Sequence, residues 1–423
     1  MNPFEFDSPI KGQDYYNWEN IYPRPYDKRT TNPYTKTRVI LMNGCETEQV
    51  FFLHQFQRNC RDNDLRREIA KIRRIEQQQQ KKIQCLKPID EDMLEETLLY
   101  ELLAVDLTAR MAQDEPDCYV KASLDFALLE DFDHLYRYSN LMKLEYNKNA
   151  EYIVGRYAEI TPGRPTIAHH RCPIDDVKRF NSKNVALITK LHSNIITAAE
   201  QQTMNFYMNV CNLYPSDTGR RLYQEIGMVE EEHVTQYGSL LNTEMTFLEN
   251  LVMHMYTACY LYYSCMCDET DENVKCIWEH CFYQEVANLQ KSAALLKQYE
   301  GKDYTVVIPD GEFPKLLVLG PNVEYVRSVL KNTVTYTSVL EDYCKVNELP
   351  EDSSFFEYQD IVNNNIRCVP SHDVICRIIN KFGIDYRYEK CPNPIPALRN
   401  RREDNTTVGR VPNCGSFERK AEE

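Results

Sequence analysis

One spacing occurs twice in this chain. Glu101 is followed 30 residues later by Asp131 and 33 later by His134, and Glu200 is followed 30 later by Glu230 and 33 later by His233. Each half is one carboxylate, then a carboxylate-x-x-His pair about one helix further on. Residues three apart share a helix face, so each pair presents an acid and an imidazole together. Two such halves make the ligand set of a dinuclear metal site inside a four-helix bundle.

The surrounding sequence reads as helix. Helix A is expected over about 91–112, B over 119–146, C over 183–212, and D from an N-cap at Ser216 or Asp217. The apolar stripe of B runs Leu124, Ala127, Leu128, Asp131, His134, Leu135, Tyr138, Leu141, Met142. That of D runs Tyr223, Ile226, Glu230, His233, Val234, Tyr237, Leu240, Leu241. The acids and imidazoles lie on the core stripes, where an unpaired charge costs several kcal/mol, about 3 or more. They must be paired or metal-bound. A–B and C–D are short connections, and the B–C connection is long.

The charge of the set is also informative. Four carboxylates balance two divalent ions, and carboxylates bridge metals about 3.5–4 Å apart. Mixed oxygen and nitrogen ligation suits iron or manganese. The expected cofactors are two Fe or two Mn ions per chain. No P-loop, dinucleotide fingerprint or Ser-His-Asp signature is present, and neither heme nor nucleotide is expected.

This pattern resembles the ferritin-like di-metal carboxylate superfamily, which includes rubrerythrins and manganese catalases. The resemblance covers about 91–243, a third of the chain. It implies a mainly α fold: a ferritin-like four-helix bundle with a long B–C crossover, an extra helical hairpin and N- and C-terminal extensions. It implies Glu101, Glu200, His134 and His233 as terminal ligands, and Asp131 and Glu230 as bridges. Asp131 is one methylene shorter than the Glu usual there, and Glu130 precedes it. Tyr138, Tyr207 and Tyr237 flank the ligands, and with Glu130 they are candidates for a supporting shell. No catalytic residue is assigned.

The organisation expected is an extended N-terminal arm (1–45), a basic amphipathic helix (46–90), the bundle (91–243), a third helical hairpin packed on it (244–300), a mixed or helical C-terminal region (301–396) and a disordered tail (397–423). In the C-terminal region, helices are expected at about 322–347 and 371–382. The aromatic arm is expected to reach a neighbouring subunit, giving a homo-oligomer. The third hairpin echoes the repeat at Glu249 and Glu279, with Phe282 where His would stand, and again at Glu285-x-x-Asn288.

Other signals are weaker. A net charge of −15 argues against a nucleic-acid partner. The apolar run 251–267 contains His254 and several Tyr, and reads as a buried helix, so no membrane partner is expected. Sixteen scattered cysteines, with no C-x-x-C pair and no visible secretory leader, point to a reducing cytoplasm. Cys259, Cys265, Cys267, Cys276 and Cys281 cluster on the third hairpin and read as core thiols, or as ligands for zinc or an iron–sulfur cluster. His169-His170 with Cys172 reads as loop, the alternative being a loop metal site.

The functional expectation is an oxidoreductase acting on hydrogen peroxide or O₂, catalase- or peroxidase-like. A peroxidase would need an external electron donor. The alternatives are metal storage and a structural or assembly role.

Overall fold

In a computed structural model of the chain, the described residues are 1–386 apart from Arg156, Pro165, Lys183, 364–367 and Ile384. The tail expected at 397–423 lies outside them. The chain is mainly helical. In order come α1 (Pro33–Asn59), α2 (Asn63–Gln84), α3 (Met93–Asp114), α4 (Cys118–Tyr146) and two single turns, α5 (Glu151–Val154) and α6 (Thr166–His169). Next are α7 (Leu187–Leu213), α8 (Asp217–Ser239), α9 (Phe247–Asp268), α10 (Glu272–Glu300) and α11 (Val323–Thr333). The antiparallel pair β1 (Tyr336–Val339) and β2 (Asp342–Lys345) precedes α12 (Ser354–Val362) and α13 (Pro370–Phe382).

The helix starts are chemically explicit. Asp92 and Glu95 form a capping box on α3, and Thr246 and Glu249 form one on α9. Asp117 caps α4 through the amides of Tyr119 and Val120, and Ser216 caps α8 through that of Gly219.

Three boundaries correct the sequence reading. The expected arm ends early, because Asn32 caps a helix that has Pro33 in its first turn. The single basic helix expected over 46–90 is two helices: Cys60 is extended and Asp62 caps α2. The helix expected over 322–347 stops at Thr333, and a hairpin follows, with β-branched Thr337 and Val339 on its first strand and Leu340 at φ 51° in its turn.

The chain divides into two compact units. The first holds Met1–Glu91, Asn181–Gln202 and Leu241–Leu319; the second holds Asp92–Phe180, Thr203–Leu240 and Gly320 onward. α7 contributes its first part to one unit and its last part to the other.

In the first unit, α1 packs along α2 and α9 along α10, and the two hairpins meet through α1–α9 and α10–α2. The N-terminal segment lies on these helices of its own chain. Phe4 stacks on Tyr304 at 3.7 Å between centroids, and Phe6 sits edge-on to Phe282 at 5.4 Å. Cys259, Cys265 and Cys281 are buried there, and Cys267 and Cys276 are exposed. Among the described residues, no group of three or more metal-ligating side chains contains a cysteine.

In the second unit, α4 is the axis. Nearly every residue from Ser123 to Met142 is buried. α3, α8, α11 and α13 pack on it, and α13 also packs on α8. Among the described residues, no helix is long and apolar enough to cross a membrane.

Candidate metal centre

The site of the second unit is built around α4. Asp131 and His134 are three residues apart on it, as Glu230 and His233 are on α8, so each pair projects inward together. Glu101 faces them from α3. All five side chains are buried.

Two groups of ligand atoms form. Glu101, His134 and Glu230 each offer one atom within 4.8 Å of the others, and so do Asp131, Glu230 and His233. Glu230 is common to both. Its Oε1 lies 2.9 Å from Nδ1 of His134, and its Oε2 lies 3.2 Å from Nδ1 of His233. A carboxylate with one oxygen toward each histidine is disposed as a bridge. Asp131 approaches only the second group, with Oδ1 3.3 Å from Nδ1 of His233. Glu200 is buried on α7, in the part belonging to the first unit. It precedes Tyr207 by two helical turns, and so lies on the same face of that helix.

Glu130 is the residue the periodicity under-rates. Its Oε2 lies 2.8 Å from Nε2 of His233, and its Oε1 accepts from Arg171 at 2.5 Å. Burial alone would raise its pKa, but the Arg171 guanidinium and His233 outweigh burial and hold it well below the usual carboxylate range. An ionised Glu130 accepts the Nε2 proton of His233. With a metal ion bound, that tautomer would leave the Nδ1 lone pair facing Asp131 and Glu230, the arrangement that orients metal-binding histidines.

The crossover after α4 supplies this cation. Arg171 is 1% exposed and also binds Asp176 at 2.8 Å and Glu232 at 3.3 Å. His169, from the same segment, sits edge-on to His134 at 5.8 Å between ring centroids. Burial keeps its pKa well below the usual value, so it is neutral. The sequence signal was the run His169-His170-Arg171-Cys172, read as loop because no helical period marks it.

The tyrosines divide. Tyr207 donates to Oε1 of Glu101. Tyr138 packs between Tyr207 and Tyr223 with tilted rings, 5.3 and 4.9 Å between centroids, and its hydroxyl has no hydrogen-bond partner. Tyr237 lies 6.4 Å from the His233 ring. Burial first, then neighbouring acids and phenols, push Tyr138 and Tyr207 well above the ordinary phenol range, so both stay protonated.

The donor set fits metal ions. Burial would raise the carboxyl of Glu230, yet His134 and His233 bring it down to about 2. Nε2 of His134, 1% exposed as a residue, has no hydrogen-bond partner. Buried carboxylates facing imidazole nitrogens, without a Lys or Arg at Glu230 among the described residues, are a donor set of the kind that cations take. These buried groups of Asp, Glu and His are able to hold a metal ion.

No protein-family model, curated protein or solved structure matches this chain.

Proposed function

We propose that this is a ferritin-like di-metal carboxylate protein, an oxidoreductase that acts on hydrogen peroxide or O₂. The observation that carries the reading is Glu230, whose two oxygens each face a different histidine. Glu101 and His134 would hold one ion, Asp131 and His233 the other, with Glu230 shared. The repeat spacing puts Glu200 in the same set. Bound iron or manganese would supply redox chemistry between the +2 and +3 states.

The protein's own groups have definite parts in this reading. Glu130 holds the Nε2 proton of His233. Tyr207 holds Glu101 by donating to it. The rings of Tyr138, Tyr207 and Tyr223 exclude water from that side and keep the local dielectric low. Arg171 fixes the ionised state of Glu130 and ties it to the crossover.

The test is Fe and Mn content of purified full-length protein, with oxygen evolution from added peroxide. Glu230→Ala and His134→Ala should each lose about two ions per chain and all turnover, two being the number a dinuclear centre holds. Metal without turnover, by peroxide or with an added reductant, would favour storage. No metal in a folded wild type would favour a structural or assembly role.

A further inference from the structure

The first unit carries its own buried carboxylate cluster, which the proposed redox centre does not use. Glu46 on α1, Glu76 on α2 and Glu285 on α10 each place an oxygen within 4.8 Å of the other two. All three are 0% exposed. Their hydrogen-bond donors are neutral. The Tyr262 hydroxyl donates to Oε1 of Glu46. The Asn288 amide donates to Oε1 of Glu76 at 2.7 Å and reaches Oε1 of Glu285 at 3.4 Å. Burial pushes all three carboxyls well above the usual carboxylate range, and in the absence of a cation they hydrogen-bond one another, Glu46 to Glu76 and Glu76 to Glu285. Among the described residues, no Lys or Arg acts on any of them.

A second observation also points to a ligand. Gln79 lies one turn after Glu76 on the same face of α2 and is 0% exposed. Its Nε2 donates to Oε1 of Gln284 at 3.0 Å, and its carboxamide lies against Glu285. Its Oε1 has no partner. An acceptor oxygen in a dry core beside three carboxylates lacks any protein donor. A cation satisfies such a set, and an unsatisfied buried acceptor costs about 1–3 kcal/mol.

The spacing agrees. Glu46 is followed 30 residues later by Glu76 and 33 later by Gln79, the offsets of Glu101/Asp131/His134 and Glu200/Glu230/His233. Asn288 follows Glu285 by three, as His233 follows Glu230. The first unit thus repeats one half of the pattern in full, with Gln79 where the second unit has an imidazole, and the x-x pair of the other half, with Met255 where its first carboxylate would stand.

We propose that Glu46, Glu76 and Glu285, with the carboxamide oxygen of Gln79, form a second cation site that takes one hard divalent ion of the Mg²⁺/Mn²⁺ type, Asn288 positioning Glu76 and Glu285 by donating to them. A donor set of oxygens alone selects such ions over those that favour nitrogen or sulfur. The site is independent of the redox centre and stands or falls without it.

The probe is Mn²⁺, followed by loss of the free-ion EPR signal. It is titrated into the full chain with the second-unit centre disabled by His134→Gln and His233→Gln. One Mn²⁺ per chain should bind, and adding Glu76→Gln should weaken that binding at least tenfold. No stoichiometric binding in the double variant overturns the proposal, and so does binding that Glu76→Gln leaves unchanged. Should the Glu76→Gln chain fail to fold, the isosteric Glu285→Gln is read in the same way. Should both fail, the melting temperature of the double variant decides: a rise with Mn²⁺ supports the site, and no change overturns it. Loss of iron from His134→Ala, or its retention, tests the other centre and leaves this result untouched.

Discussion

Nε2 of His233 lies 2.8 Å from Oε2 of Glu130, and this contact decides which side of the imidazole faces the other acids. Glu130 is itself held by Arg171, so a carboxylate, a histidine and the ligand cluster lie in sequence. Partners of this kind typically set metal affinity by ten- to a hundredfold. Glu130→Gln keeps the volume but removes the charge that holds the Nε2 proton. It should lower affinity for Fe²⁺ or Mn²⁺ by about ten- to a hundredfold with the fold retained. Competition against a chelator measures this.

Arg171→Met should be among the most damaging single changes in the second unit. It removes the nearer of two buried guanidiniums at Glu130, leaving Arg164 at 3.7 Å, and takes the cation from half-buried Glu232; breaking a buried pair costs about 3–5 kcal/mol. Denaturant unfolding of the metal-free chain reads the loss.

Gly163 sits where the crossover touches α4. Its amide donates to Oδ1 of Asp133 at 2.8 Å, and an added Cβ would come within 2.3 Å of the Leu129 carbonyl oxygen. Backbone cannot yield that distance, so Gly163→Ala must move the crossover that carries Arg171. The expected cost is about 1–3 kcal/mol, with weaker metal retention. Thermal melts and metal content of the variant check both.

His170 and Glu225 give a pH signature. Nε2 of His170 lies 3.2 Å from Oε1 of Glu225, whose Oε2 accepts from the Ser371 amide at 2.7 Å. Burial would lower the His170 pKa, but the bond and charge of Glu225 raise it above 6.5. Burial would raise Glu225, but His170 brings it below 4.5. A raised histidine stabilises fully below 6.5 and loses its contribution as pH climbs through the folded value; a depressed carboxyl stabilises above 4.5 and loses its contribution as pH falls. The pair is therefore most stabilising between about pH 4.5 and 6.5. The melting-temperature gap between wild type and His170→Gln should be widest there and narrow by pH 9.

Much of the second unit was legible because one spacing recurs and because the core stripes of α4 and α8 carry acids and imidazoles. Asp131, His134, Glu230 and His233 follow from the stripes, and Glu101 from the spacing. Glu130 was named only as a candidate for the supporting shell; its part at His233 was not legible, because α4 is buried on nearly every side and a period of 3.6 no longer separates inside from outside. Arg171 and His169 lie on an aperiodic crossover, and their burial comes from tertiary packing that no local pattern encodes. Glu46 and Glu76 were hidden inside a stretch read as one basic helix. Their offset of 30 residues was nonetheless the signal already used elsewhere in the chain. The break at Cys60 depended on recognising Asp62 as an N-cap amid charged neighbours.

The central claim is that buried acids and imidazoles of the second unit hold two metal ions. Elemental analysis of wild type beside Glu230→Ala, with circular dichroism to show that both are folded, tests it most directly. The variant should contain about two fewer Fe or Mn ions per chain, the occupancy of one dinuclear centre. Equal metal content in two folded proteins would contradict the claim.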